Sequence, residues 1–199
     1  MNKPKIIRVG TRGSTLALKQ TEEVINQLTT LHPHQEFTIN ILKTQGDLAA
    51  DVALSSLDRG IFVKEIENAL LEQRIDIAVH SLKDLPTTLP KELSIGAVCR
   101  RFDARDALIN RWGCTVQELP TKARIGTSSP RRFAQLKSIR PDVEIVAMRG
   151  NIDTRLKKAD GNDYDGAILA VAGLSRLDLQ SQISEFLSLD IFVPAPGQG

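Results

Sequence analysis

The chain has 199 residues, 41% hydrophobic and 25% charged, which fits a globular protein of one or two domains and excludes a disordered one. No stretch approaches the roughly 18 apolar residues of a membrane span, and MNKPKIIRVG enters a strand-like run without a signal-peptide apolar region, so a cytoplasmic protein with no membrane partner is expected. A net charge of +2 and 4% aromatic residues argue against a nucleic-acid partner, which calls for a basic surface and rings for base stacking.

Apolar strand-like runs alternate with helical patterns throughout. Residues 6–9 read as a strand, 16–28 as a helix and 37–41 as a strand; a helix over 62–72 leads into a strand over 75–79, and 93–98 reads as another strand. In the second half, strands are expected over 123–126, 143–146 and 166–170, with helices starting at Ser129 and spanning 152–158. The rhythm predicts an α/β fold of two similar domains, residues 1–99 and 100–199, with mixed, mostly parallel sheets around an interdomain cleft. The boundary falls where an apolar run gives way to the charged residues after Cys99.

Cys99 and Cys114 form no CxxC pair, and His32, His34 and His80 have no metal-ligand spacing, so the sequence offers neither a disulfide framework nor a zinc site. Charge is distributed unevenly. Residues 100–199 carry 15 basic and 12 acidic side chains against 11 and 12 in residues 1–99, and ten of the fifteen arginines lie between Arg100 and Arg155. Arginine's planar fork suits carboxylate and phosphate. Arg100, Arg101, Arg105, Arg111 and Arg140 read instead as a solvated basic face.

Within Asp76–Pro86 a buried apolar strand runs into Ser81, Lys83 and Asp84 and stops at a proline. Ligands of open α/β sheets sit beyond the carboxyl ends of strands, so these side chains fall where chemistry is expected. Lys83 beside Asp84 favours the ionised carboxylate. The bland alternative is an Asp that caps a turn beside a solvated lysine.

Gly126-Thr127-Ser128-Ser129-Pro130-Arg131-Arg132 is the strongest anion-binding signal: a strand ends in glycine, three hydroxyls follow, and Pro130 suits a first helical turn. Arginines in that turn oppose the helix dipole, so something anionic should compensate them. Met148–Arg155, with Arg149 and Arg155, and Thr11-Arg12-Gly13-Ser14 repeat the arrangement. Several carboxylates on one ligand would use all these arginines. A nucleotide is disfavoured, since neither GxxxxGK[ST] nor GxGxxG occurs.

TRGSTLAL, KTQGD, RGIFVKEIENALL, DIAVHSLKDLPT, GTSSPRR, MRGNIDTRL, AILAVAGLSRL and PAPGQG, in this order over nearly the whole chain, resemble the motif series of the porphobilinogen deaminase family, also called hydroxymethylbilane synthase. The resemblance implies a cytoplasmic, monomeric transferase of tetrapyrrole (haem) biosynthesis with a periplasmic-binding-protein-like fold. It would condense four porphobilinogen units head to tail, with loss of ammonia, into hydroxymethylbilane. By motif, Asp84 matches the catalytic carboxylate. Arg12, Ser14, Ser81, Lys83, Thr127, Ser129, Arg131, Arg132, Arg149, Arg155 and Arg176 match positions that hold the carboxylates of a dipyrromethane cofactor and of substrate. Phe62 belongs to a segment near a mobile loop over the site.

Arg59, Pro130 and Pro196 depart from the family's usual lysine, apolar residue and valine, without disturbing charge or turn geometry. In the family the polypeptide continues past PGQG, completes the first domain and adds a third, whose cysteine anchors the cofactor covalently. Neither Cys99 nor Cys114 lies in that motif, so residues 1–199 are expected to lack the third domain and the anchor, to be inactive alone, and to expose a sheet edge in the first domain. The competing readings are a two-domain anion or solute binder and an inactive paralogue that binds precursors. Lys83-Asp84 discriminates, because a passive anion receptor gains nothing from a carboxylate aimed at its ligand.

Overall fold

The computed structural model describes residues 6–43 and 63–199; most of KTQGD, Arg59 and Phe62 lie outside the described residues. The chain divides into two compact units, Met1–Arg100 and Arg101–Gly199.

In the first unit, β1 (Ile7–Arg12) lies between β2 (Phe37–Leu42) and β3 (Ile77–Ala78) in a parallel sheet. Parallel neighbours need crossovers, and α1 (Thr15–Leu31) and α2 (Lys64–Leu71) occupy them. Ser14 starts α1 by accepting the Ala17 amide at 3.3 Å, and the helix stops ahead of His32-Pro33. Among the described residues its core cluster holds Ile66, Ala69 and Ile75, with Leu42, Leu70 and Ala78 against them. The strand expected over 93–98 does not form. Those residues have no regular structure, and Ile95 and Val98 are 52% and 67% exposed. Apolar composition suits a strand only where a neighbouring edge supplies hydrogen bonds, and no described strand pairs with this segment.

The second unit holds a five-stranded mixed sheet. Its strands are β4 (Asp106–Asn110), β5 (Arg124–Gly126), β6 (Glu144–Val146), β7 (Gly166–Ala170) and β8 (Glu185–Phe186), in the order β6-β5-β7-β4-β8. β5 runs parallel to β6 and β7, whereas β4, absent from the sequence reading, is antiparallel to β7 and β8. Helices α3 (Pro130–Ile139), α4 (Ile152–Ala159) and α5 (Val171–Arg176) follow β5, β6 and β7. Alternate residues feed two cores: Leu108, Ile125, Leu136 and Ile168 pack together in one, and Ala107, Ile109, Met148, Ala167 and Leu169 in the other.

One device recurs in both units. Arg8, second in β1, grips Asp76, its amide and Nε donating to Oδ2 at 2.8 and 3.0 Å and Nη2 to Oδ1 at 3.0 Å. Arg124 opens β5 and grips Asp165 through the same three atoms at 2.8, 3.2 and 3.2 Å. The segments Arg8-Val9-Gly10-Thr11 and Arg124-Ile125-Gly126-Thr127 carry this shared pattern. A β-carbon at Gly10 would strike Ile75, and one at Gly126 would strike Met148. The clamps fix the strands' amino ends and leave the carboxyl ends to the loops.

Four of the arginines read as solvated are latches. Arg140 donates to the carbonyls of Val116 (2.5 Å), Gln117 (3.1 Å) and Leu119 (2.7 Å) and pairs with Asp142. Arg111 donates to Gly161 and Tyr164 carbonyls, both at 2.6 Å. Arg105 pairs with Asp103 and lies 4.5 Å from the centroid of Phe186, and Arg101 donates to the Gln198 carbonyl at 2.8 Å. Irregular backbone leaves carbonyls without ladder partners, and long cationic side chains supply them. Only Arg100 of the five keeps the simple solvated reading; it is exposed.

Leu136 is fully buried at the centre of one core. Leu136→Ala should therefore lower the unfolding free energy of this unit by about 2–5 kcal/mol in urea titrations followed through Trp112. A loss below about 1 kcal/mol would show that the site collapses onto the void.

Candidate functional site

At the carboxyl ends of β1 and β3, one pocket of the first unit is lined by Arg12, Ser14, Gln20, Val79, His80, Ser81 and Asp84, with Leu16 and Ala17. After β3 the chain turns through a short 3-10 segment, Leu82–Asp84, closed by the Asp84 amide on the Ser81 carbonyl at 2.9 Å. This turn leaves Lys83 and Asp84 exposed at the rim. Ser81 donates to the Gln20 side-chain carbonyl at 3.1 Å, which ties the loop after β3 to α1. Burial pushes the His80 imidazole below its ordinary pKa; Asp84 opposes this and Arg12 reinforces it, so neutral imidazole is favoured.

In the second unit, the loops after β5 and β6 lie side by side, joined by the Ser128 hydroxyl donating to the Met148 carbonyl at 3.0 Å. Thr127 and Ser129 serve as acceptors, Thr127 from the Ser129 amide at 3.2 Å and Ser129 from the Arg132 amide at 3.4 Å. Ser14 does the same in the first unit. A hydroxyl used as an acceptor keeps its proton to donate, so all three can still bond an oxyanion. Asn151 caps α4 by accepting the Thr154 amide at 2.8 Å, after Gly150 has turned the chain at φ +116°. Arg149 and Arg155 flank that turn. Arg176 ends α5 with its guanidinium 3.9 Å from the centroid of Phe102.

The anion expected to compensate the arginines of α3 comes in part from the protein itself. Asp106, at the start of β4, has no exposed surface. Arg131 Nη2 reaches its Oδ2 at 2.7 Å, while Arg132 Nη2 and Gln198 Nε2 reach Oδ1 at 2.6 and 2.9 Å. Burial alone would raise this carboxyl, but the charge of Arg132 and hydrogen bonds from Arg132, Gln198 and Arg131 outweigh it and hold the group below the usual carboxylate range. Arg132 is buried and also donates to the Ile168 carbonyl at 3.0 Å. Arg131 is more open and donates to Gln135 Oε1 at 3.1 Å and to the Val193 carbonyl at 2.7 Å.

Sequence reasoning thus reached the three strand-to-helix turns and Asp84. It missed Gln20, the wall position of His80, Asp106 and Gln198. The unexplained pair of arginines in a first helical turn was the one signal that could have led to Asp106.

These features define a class, an α/β protein of two units in which helix starts at strand ends present arginines and hydroxyls. A family model described as porphobilinogen deaminase, dipyromethane cofactor binding domain, matches residues 7–199. Porphobilinogen deaminases of Carboxydothermus hydrogenoformans and Thermus thermophilus are each 50% identical to this chain, over 196 and 195 residues, and that of Deinococcus deserti is 49% identical over 199. The matches cover 98% of this chain, which spans 63–64% of the relatives' own length. The chain belongs to the porphobilinogen deaminase family. Solved structures that resemble it include a YaeC-family lipoprotein of Enterococcus faecalis, at a TM-score of 0.48 and 14% identity over 94% of this chain and 80% of that one. Another is a lipoprotein of Bacillus subtilis, at 0.49 and 12% over 92% and 78%.

Asp106 gives a pH prediction. Its folded pKa is depressed, so its stabilisation is present above the ordinary carboxylate pKa and is lost as pH falls through the lower folded value. Asp106→Asn should cost about 3–5 kcal/mol at pH 7, because two guanidiniums lose their buried counter-charge. The gap from the parent protein should narrow on acidification, as read by thermal unfolding from pH 7 to pH 3. A gap independent of pH would mean that packing, and not charge, is what Asp106 contributes.

Proposed function

We propose that this chain is the substrate- and cofactor-holding portion of a hydroxymethylbilane synthase that joins four porphobilinogen units head to tail. The observation that carries the reading is the pocket in which Asp84 stands with Arg12, Ser14 and Ser81. A receptor for anions gains nothing from a carboxylate in its own pocket, whereas a catalyst that develops positive charge on a pyrrole does.

Each addition forms a bond from the aminomethyl carbon of one unit to the free ring carbon of another, breaks the carbon–nitrogen bond and releases ammonia. Positive charge develops on the ring while that carbon still bears its proton. The Asp84 carboxylate acts as electrostatic stabiliser and accepts the pyrrole N–H, with the sign reversed from an oxyanion hole. Arg12, Ser14, Ser81, Lys83, Thr127, Ser129, Arg131, Arg132, Arg149, Arg155 and Arg176 are assigned to the acetate and propionate groups that every ring carries, by direct contact or by support of their neighbours. Uniform use of those side chains orients each ring in the same way.

The residues fit a dipyrromethane, which when bound supplies the primer for elongation. Its carboxylates match the donor hydroxyls of Thr127 and Ser129 in the second unit, and two guanidiniums on the single buried Asp106 leave one positive charge to be balanced at the start of α3. Neither cysteine is assigned to covalent attachment: Cys99 is exposed, and Cys114 lies within a turn, its thiol 3.5 Å from Asn110 Oδ1. A polypeptide of residues 1–199 alone is therefore proposed not to sustain elongation. A cytoplasmic, monomeric enzyme is part of the same reading.

Asp84→Ala in the complete protein should abolish porphobilinogen consumption, by at least about 100-fold, with an unchanged circular dichroism spectrum. Retained turnover would remove Asp84 from the mechanism. Arg149→Leu should raise KM and flatten its dependence on ionic strength; an unaltered salt profile would assign Arg149 to the solvated surface. Steady tetrapyrrole synthesis by residues 1–199 alone would contradict the proposed need for a further part.

A further inference from the structure

Around Asp106 the two arginines of α3 are not equivalent. Arg132 is 6% exposed, its Nη1 and Nη2 are committed to Ile168 and Asp106, and its buried Nε has no hydrogen-bond partner among the described residues. A guanidinium so enclosed has no face for a ligand. The Arg131 side chain keeps 23% of its surface while bonded to Asp106, to Gln135 one turn along the helix and to the Val193 carbonyl.

The anchor is completed from a distant part of the chain. Gln198, 1% exposed, donates Nε2 to Asp106 Oδ1 at 2.9 Å and to the Ala104 carbonyl at 2.8 Å, while its main-chain carbonyl accepts from Arg101 Nε at 2.8 Å. The segment from Val193 to Gln198 thus touches Arg131 at one end, through the Val193 carbonyl, and Asp106 at the other. A glutamine is required at 198 because one group must donate to both a carbonyl and a carboxylate. A glutamate there would offer no donor and would set like charges together in the interior.

We propose that Asp106 and Gln198 are positioning residues. They hold Arg132 as an internal strut and fix Arg131 in the orientation from which it alone of the pair meets a ligand carboxylate, so that one ligand carboxylate completes a balanced set of two guanidiniums and two carboxylates. This rests on the proposed function, since it takes a porphobilinogen-derived carboxylate as the incoming group.

The test uses Gln198→Glu in the complete protein, with Gln198→Asn, which keeps the amide but shortens it, as the second variant. The expected result is a rise in KM for porphobilinogen of about tenfold for Gln198→Glu and less for Gln198→Asn, with kcat changed by no more than about threefold. The Arg131 Nε–H resonance should also shift and exchange faster with solvent. That second readout does not depend on turnover. An unchanged KM in a folded variant overturns the proposal, as does a fall in kcat at constant KM. If neither variant folds, Gln198 serves stability alone and the proposal fails. If the parent protein does not consume porphobilinogen, the functional reading fails, and the Arg131 resonance alone then decides whether Gln198 positions it.

Discussion

A carboxylate with no exposed surface stays ionised only if the protein replaces the water it has lost. Asp106 achieves this with two guanidiniums on separate oxygens and a buried amide. The strand that carries it, the helix start that carries Arg131 and Arg132, and the irregular segment that carries Gln198 are thereby held at one point. Desolvation makes the arrangement all-or-none: a missing partner leaves a buried charge uncompensated, so each of these elements depends on the others. The outcome is a helix start with surplus positive charge, which also has the dipole's positive end.

The same constraint sorts the arginines. Arg8 and Arg124 clamp the amino ends of equivalent strands, Arg101, Arg111 and Arg140 donate to carbonyls of irregular backbone, and Arg105 pairs with Asp103. Arg12, Arg131 and Arg149 stand instead at the carboxyl ends of strands, where parallel sheets present their loops. An arginine-rich sequence is therefore no measure of ligand charge, because many of its guanidiniums latch the fold.

Much of this was legible in the sequence. The strand-to-helix turns announce themselves through glycine, hydroxyl and proline at short range, and Ser14, Ser129 and Asn151 do cap helices. Asp84 could be located because an apolar run, which forms the short strand Ile77–Ala78, leads into the polar residues ahead of Pro86. Asp106 could not, since its partners lie 25, 26 and 92 residues away and the local string Asp103-Ala104-Arg105-Asp106 resembles a solvated charge cluster. β4 was overlooked for the same reason, as its polar ends disguise a strand buried along its whole length. Residues 93–98 fail in the opposite way: the composition is right, but no described strand pairs with them.

The most direct test of the account is a crystal structure of the complete protein with porphobilinogen-derived rings bound. The account predicts carboxylates on Arg12 and Ser14 in one unit and on Thr127, Ser129, Arg131 and Arg149 in the other, with Asp84 facing a pyrrole N–H and Arg132 still enclosed on Asp106. Rings held away from Asp84, or carboxylates drawn to the latching arginines 105, 111, 124 or 140, would contradict it.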